Sequence, residues 1–352
     1  MSKSDSETKI YFKFLGTLAL LFAGLCIFII LANWIIADKT HPFDDQVRRL
    51  HTDFLEGRVD DIRNTEVIVL GDSTAARALI PTSLTDKSAF SLMINGGSAV
   101  DAYYVLKRVY DLGSRPKCVV FMTSYGAYGN HLREKLWQTT IRQFLVPPSD
   151  IADYFETTSK MNQPPGSEIF LPWAKLRISA APILRYLEWD TLHRAIFKPY
   201  ETFTHSSRSY RMTRLGKGSN PVLAGSIWNG PEFNGPLQDY LKKPFKSEEV
   251  LDFYLRRMLD LAGEKKSKVL VLMAPVAETL RTPEAEAWIA SAEAHVDQLL
   301  ESRSHVINRF RTKWMDPSDF SDGTHLVESA GRQYSENLRS TIDECINRGT
   351  AP

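Results

Sequence analysis

Three residues far apart in the chain could together do acyl chemistry: Ser73, Asp322 and His325. Ser73 lies in Gly71-Asp72-Ser73-Thr74, directly after the β-branched run Glu66–Leu70. A serine at the carboxyl end of a strand and the head of a helix has free backbone N–H groups beside it, which can hold a developing oxyanion. Alone the tripeptide says little, because Asp and Ser are ordinary turn and cap residues. The serine hydroxyl also needs a base, a histidine oriented by a carboxylate. Asp322-Gly323-Thr324-His325 supplies that pair. Asp38…His41 and Asp190…His193 repeat the D-x-x-H spacing, so spacing does not choose among them. Position does. Asp38 abuts an apolar run and Asp190 sits among residues that look helical. Only Asp322 and His325 fall at the carboxyl edge of the inferred sheet, the edge that carries Ser73.

That sheet is inferred from hydrophobic pattern. Glu66–Leu70, Ala89–Ile94, Cys118–Thr123, Lys268–Met273 and the weaker His305–Asn308 read as strands. Between them lie helical stretches. Ser98 and Asp101 form a capping box for one that runs to Leu112, before Gly113 and Pro116. Ser247 heads another, with Val250, Leu251, Tyr254, Leu255, Met258, Leu259 and Ala262 at helical spacing. Pro283–Glu301 is a third. The last carries Leu326, Ala330, Tyr334, Leu338, Ile342 and Ile346 at four-residue steps. Strands alternating with amphipathic helices predict an α/β fold, a five-stranded parallel sheet with helices on both faces. Ligands then bind beyond the carboxyl ends of the strands, near the topological switch point.

The blocks Val69-Leu70-Gly71-Asp72-Ser73 and Asp322-Gly323-Thr324-His325-Leu326 resemble the first and last blocks of the SGNH (GDSL-type) hydrolases. The resemblance covers residues 66–130 and 246–347. It implies the family's three-layer αβα, flavodoxin-like fold, with Ser73 as nucleophile and Asp322 and His325 completing a triad. It also implies oxyanion donors at the Ser73 N–H and at a glycine of the second block. Asn95-Gly96-Gly97-Ser98 resembles that block, with Gly97 expected as donor and Gly96 as the alternative. The family's third block carries an asparagine after the third strand. Here that place reads Thr123-Ser124-Tyr125, and Asn130 comes several residues late. Asn130 is the expected third donor, with Ser124 or Tyr125 as substitutes. There is no G-x-S-x-G elbow, which argues against an α/β-hydrolase.

From Phe14 to Ala37 no residue is charged, a run of about 24 residues against the roughly 20 a helix needs to cross a bilayer. Tyr11 and Trp34 suit the interfaces. A cleaved signal would have a shorter apolar core and a small-x-small site, and Ile-Ile-Ala-Asp-Lys is a poor one. Leu25 before Cys26 argues against a lipoprotein. Residues 14–37 are therefore expected to be a transmembrane helix, with 1–13 a cytoplasmic tail, 38–65 a juxtamembrane helical segment, and the large domain exported. Lys3, Lys9 and Lys13 before the span nearly balance Lys39, Arg48 and Arg49 after it, so charge sets the orientation only weakly.

Residues 131–245 break the alternation and hold Trp137, Trp173, Trp189 and Trp228. They read as a partly helical insertion that either folds over the site or only adds core. The 43 Lys+Arg against 42 Asp+Glu leave no basic field for nucleic acid. Three cysteines, Cys26, Cys118 and Cys345, are too few for a disulfide framework and lack metal spacing; a Cys118–Cys345 bond is compatible with the sequence but has no support in it. His131, His193, His205, His295 and His305 show no ligand pairing, and Gly216-Lys217-Gly218-Ser219 follows no strand. No metal or organic cofactor is implied. The anchor, the altered third block and the insertion are similar to cell-envelope members of the family, which act on surface polymers, often beside a membrane-bound O-acyltransferase. The resemblance thus implies a serine acyltransferase or esterase acting on acyl groups, acetyl above all, of an envelope polysaccharide. The alternative is a non-catalytic, membrane-tethered module that binds a glycan or a partner.

Overall fold

The computed structural model describes residues 3–40, 59–94, 96–125, 150–161 and 244–347. They belong to two compact units, Met1–Asp45 with Pro172–Arg208, and Gln46–Leu171 with Ser209–Pro352. In the first, the described residues form a single helix, α1 (Lys3–Thr40). Its stretch Tyr11–Ile29 has a mean hydropathy of 2.2 and is long and apolar enough to cross a membrane. Apolar side chains along it are exposed, Phe12 by 72% and Leu20 by 76%. Its 38 residues measure about 57 Å at 1.5 Å per residue. The helix therefore runs past both ends of the expected span.

The second unit contains β1 (Val67–Gly71), β2 (Ala89–Ser91), β3 (Cys118–Thr123), β4 (Lys268–Met273), β5 (Val276–Ala277), β6 (Val306–Arg309) and β7 (Trp314–Met315). Five of these form an all-parallel sheet in the order β2-β1-β3-β4-β6; β5 and β7 pair separately. The order reverses at β1 and β3, so the switch point lies between their carboxyl ends. β1 and β3 run in register from Val67↔Cys118 to Gly71↔Met122. There the backbones come so close that a Cβ on Gly71 would stand 1.9 Å from the Met122 carbonyl oxygen. Gly71 also has φ +143°, which only glycine adopts without strain.

β1 to β4 are enclosed on both faces, which is why they read as largely apolar runs. One face gathers Val67, Val69, Val120, Met122, Leu270 and Leu272 into a cluster. Onto it pack α3 (Ser73–Ala78), α4 (Pro81–Leu84), α9 (Glu328–Asn337) and α10 (Arg339–Asn347). Ile68, Leu70, Val119, Phe121, Val269 and Val271 alternate with these and are equally enclosed. α5 (Ala99–Asp111) and α7 (Glu249–Glu264) pack on each other, α5 also against β1 and α7 against β4. The capping box at Ser98 forms as expected, with Asp101 accepting from the Ser98 N–H at 2.7 Å. α8 (Pro283–Leu300) leads to β6.

Several expectations change. The last helix is two helices, since Leu338 caps α9 and α10 starts at Arg339. A disulfide between Cys118 of β3 and Cys345 of α10 pins the second piece to the sheet. The break lets Ala330 and Tyr334 of α9 and Ile342 and Ile346 of α10 all reach one apolar cluster. Of the expected juxtamembrane segment, 41–58 lies outside the described residues; α2 (Val59–Arg63) follows it and buries Ile62. Of the expected insertion, the described part includes α6 (Ile151–Lys160). Tyr154 is 1% exposed there and packs between Tyr104 and Tyr254. Asp153 pairs with Arg257 at 2.8 Å, so this piece docks on α5 and α7.

Candidate active site

Ser73 opens α3. Asp72 before it is extended (φ −96°, ψ −167°) and its carboxylate accepts from the Thr74 N–H at 2.8 Å. This cap ends β1 and starts the helix in one step. The Ser73 N–H has no backbone acceptor among the described residues.

His325 arrives on a loop closed at its base. Phe320 and Leu326, both buried, bridge there in antiparallel fashion, and the Ser321 N–H donates to the His325 carbonyl at 2.8 Å. Inside the loop, Asp322 Oδ1 accepts from the backbone N–H groups of Thr324 and His325, each at 2.9 Å. That turn explains the three-residue spacing: it sets Asp322 Oδ2 2.8 Å from His325 Nδ1. The other ring nitrogen, Nε2, lies 2.8 Å from Ser73 Oγ, across 252 positions of sequence. An ionised carboxylate only accepts, so Nδ1 carries the proton and Nε2 is free to accept from the Ser73 hydroxyl. Burial alone would raise the Asp322 carboxyl pKa. Hydrogen bonds from the His325 ring and from Thr324, with the charge of the imidazole, outweigh it and hold Asp322 well below the usual carboxylate range. Asp38, His41, Asp190 and His193 include the two competing pairs; His41, Asp190 and His193 lie outside the described residues.

This hydrogen-bonded chain of carboxylate, imidazole and hydroxyl can generate a serine nucleophile at neutral pH. No protein-family model matches the chain, and no curated protein is similar to it.

The oxyanion side differs from expectation. The Gly97 N–H donates to the Ile94 carbonyl at 2.8 Å, so it is spent on the turn into α5. A Cβ at Gly97 would meet that same carbonyl at 2.9 Å, so this glycine serves close packing. The Gly96 N–H, the alternative donor, has no backbone acceptor among the described residues. Asn95 and Asn130 lie outside the described residues. Neither substitute for Asn130 is available. Ser124 donates both its N–H (3.0 Å) and its hydroxyl (2.6 Å) to Asp72 Oδ2. Tyr125 is buried, with its hydroxyl on Thr312 and its ring against Trp288.

Two residues near the triad were not singled out from sequence. Asp72 reads there as a turn residue, yet it is 3% exposed and fully engaged. Arg77, one turn along α3 from Ser73, has an enclosed guanidinium nitrogen with no partner. Burial lowers its pKa against the pull of Asp322. An arginine at i+4 from a candidate nucleophile is a signal sequence could have offered.

Proposed function

We propose that the chain is a membrane-anchored serine acyltransferase or esterase of the SGNH type, with a three-layer αβα domain. The observation that carries this reading is the unbroken contact from Asp322 through His325 to Ser73 at the carboxyl edge of a parallel sheet. The five-strand order and the enclosed faces support the layering. In the reaction, His325 Nε2 takes the Ser73 proton as Oγ attacks the acyl carbonyl carbon. The Ser73 and Gly96 N–H groups face the oxyanion. Collapse expels the alcohol, which leaves with the proton His325 took from Ser73, and leaves acyl–Ser73. A sugar hydroxyl or water then accepts the acyl group by the reverse steps. The substrate class, acetyl esters of an envelope polysaccharide handled beside a membrane-bound O-acyltransferase, rests on the sequence resemblance.

The large domain is read as exported and α1 as its retained anchor. The Cys118–Cys345 bond supports export, since buried structural disulfides persist in oxidising compartments.

Hydrolysis of p-nitrophenyl acetate by the full chain, with S73A as the control, tests the reading. Turnover lost in S73A, with a fluorophosphonate attached at Ser73 in the native protein, is expected. A folded protein that neither turns over nor labels would instead favour a binding module, a reading encouraged by the Gly97 and Ser124 donors being engaged elsewhere.

A further inference from the structure

We propose that Asp72 is a positioning residue for the nucleophile: its carboxylate clamps the head of α3 to the end of β3 and so fixes where the Ser73 hydroxyl and N–H stand. The inference rests on the reading of Ser73 as nucleophile.

The β1–β3 ladder stops at Gly71↔Met122. Beyond that pair the two chains part, one into α3 and the other into the loop after β3. Nothing in the backbone then holds them together, although Ser73 is only two residues further on. Asp72 spans the gap. Its Oδ1 accepts from the N–H and the hydroxyl of Thr74, and its Oδ2 from the N–H and the hydroxyl of Ser124. A helix cap needs only the first of these bonds. The two on Oδ2 do nothing for the helix and tie it to a neighbouring strand 52 residues away. Four donors, two on each oxygen, suit an acceptor-only carboxylate. The group is 3% exposed, so water does not compete for these bonds.

The clamp also explains the altered third block. Ser124 stands where a third oxyanion donor would be expected, and both of its donors are turned to Asp72. In this chain the strand end holds the nucleophile turn instead of the oxyanion. A misplacement of about 1 Å in such a turn can cost roughly 10²-fold in rate.

Asp72→Asn keeps the shape but sets an NH₂ group, or forces a flip, against the Ser124 donors. Ser124→Ala removes one bond on Oδ2 and leaves the helix cap intact. Ser124→Thr keeps the hydroxyl. The experiment measures fluorophosphonate labelling rate at Ser73, and kcat and KM for p-nitrophenyl acetate, in full-length folded protein. Expected are losses of roughly 10²-fold in kcat and labelling for D72N and roughly tenfold for S124A, with KM little changed and S124T close to wild type. A role confined to the helix cap predicts no loss in S124A. Wild-type labelling and kcat in folded S124A overturn the clamp, whether or not D72N folds. A wild-type protein that does not label at Ser73 overturns the nucleophile reading itself, a result distinct from labelling that is merely unaffected by the variants.

Discussion

At the residue scale, the site depends on one proton occupying the correct nitrogen of His325. Asp322 enforces this twice, through its contact with Nδ1 and through the two backbone bonds that shape the loop. Asp322→Asn keeps an oxygen for the backbone donors but can present an NH₂ to Nδ1, which selects the wrong tautomer. Steady-state assays should show kcat for an acetyl ester reduced roughly 10⁴-fold, with the fold intact by circular dichroism. The depressed Asp322 pKa bears on pH dependence. The carboxyl stays ionised well into acid, so loss of activity on mild acidification should not come from protonation of Asp322. A log kcat/KM profile with a limiting slope of one is expected, and a slope of two would place a second titrating group in the site. Ser73, Asp322 and His325 were legible because their types and their place at strand ends carry the argument. Which of the two glycines keeps its N–H free of the turn was not. Gly96 and Gly97 are the same residue type, and only turn geometry decides whose N–H is spent on Ile94. Asp72 was hidden because the partner that gives it meaning, Ser124, lies 52 residues away, just past the end of β3.

At the scale of elements, β3 and β4 were legible to the residue because both are enclosed on both faces and read as unbroken apolar runs. β2 ends at Ser91, short of its apolar run, although the Leu92 and Ile94 N–H groups still donate to the Val69 and Gly71 carbonyls of β1. The division of the last helix was invisible because the four-residue ladder of apolar side chains continues straight through Leu338. Its first piece, α9, supports the nucleophile helix by two close approaches. Gly331 passes so near α3 that a Cβ would lie 2.1 Å from the Arg77 carbonyl oxygen. Ser335, fully buried, donates to the Ala78 carbonyl and accepts from the Ile80 N–H, both at 2.8 Å. Ser335→Ala leaves both backbone groups without a partner in the core, a cost of about 1–3 kcal/mol. Urea denaturation should show the midpoint fall without a change in slope. Gly331→Ala has no room except by moving backbone. It should depress both stability and acyl transfer, because α9 follows directly on the loop that holds Asp322 and His325. Unchanged melting of G331A would contradict the packing described.

At the scale of the whole molecule, the chain joins a 38-residue helix with an apolar middle to a domain stapled by one disulfide across 227 positions. A closed loop of that length restrains the unfolded chain strongly. Replacing both Cys118 and Cys345 by alanine should lower unfolding free energy by about 2–5 kcal/mol, read from urea curves. The apolar helix was legible from its missing charges; the bond was not, since two cysteines this far apart give no pairing signal. Protease added to cells with a permeable outer layer should digest the large domain while the span stays in the membrane. A mature N-terminus near Asp38 would show that the helix is a removed signal. The third cysteine, Cys26, sits within the apolar stretch of α1. In the proposed export of the domain, Cys118 would emerge first and meet no competing thiol until Cys345 arrives near the end. One oxidation event yields one product, and there is no mispaired isomer to be rescued. Maturation should therefore require a dithiol oxidase of the receiving compartment and be indifferent to loss of its disulfide isomerase.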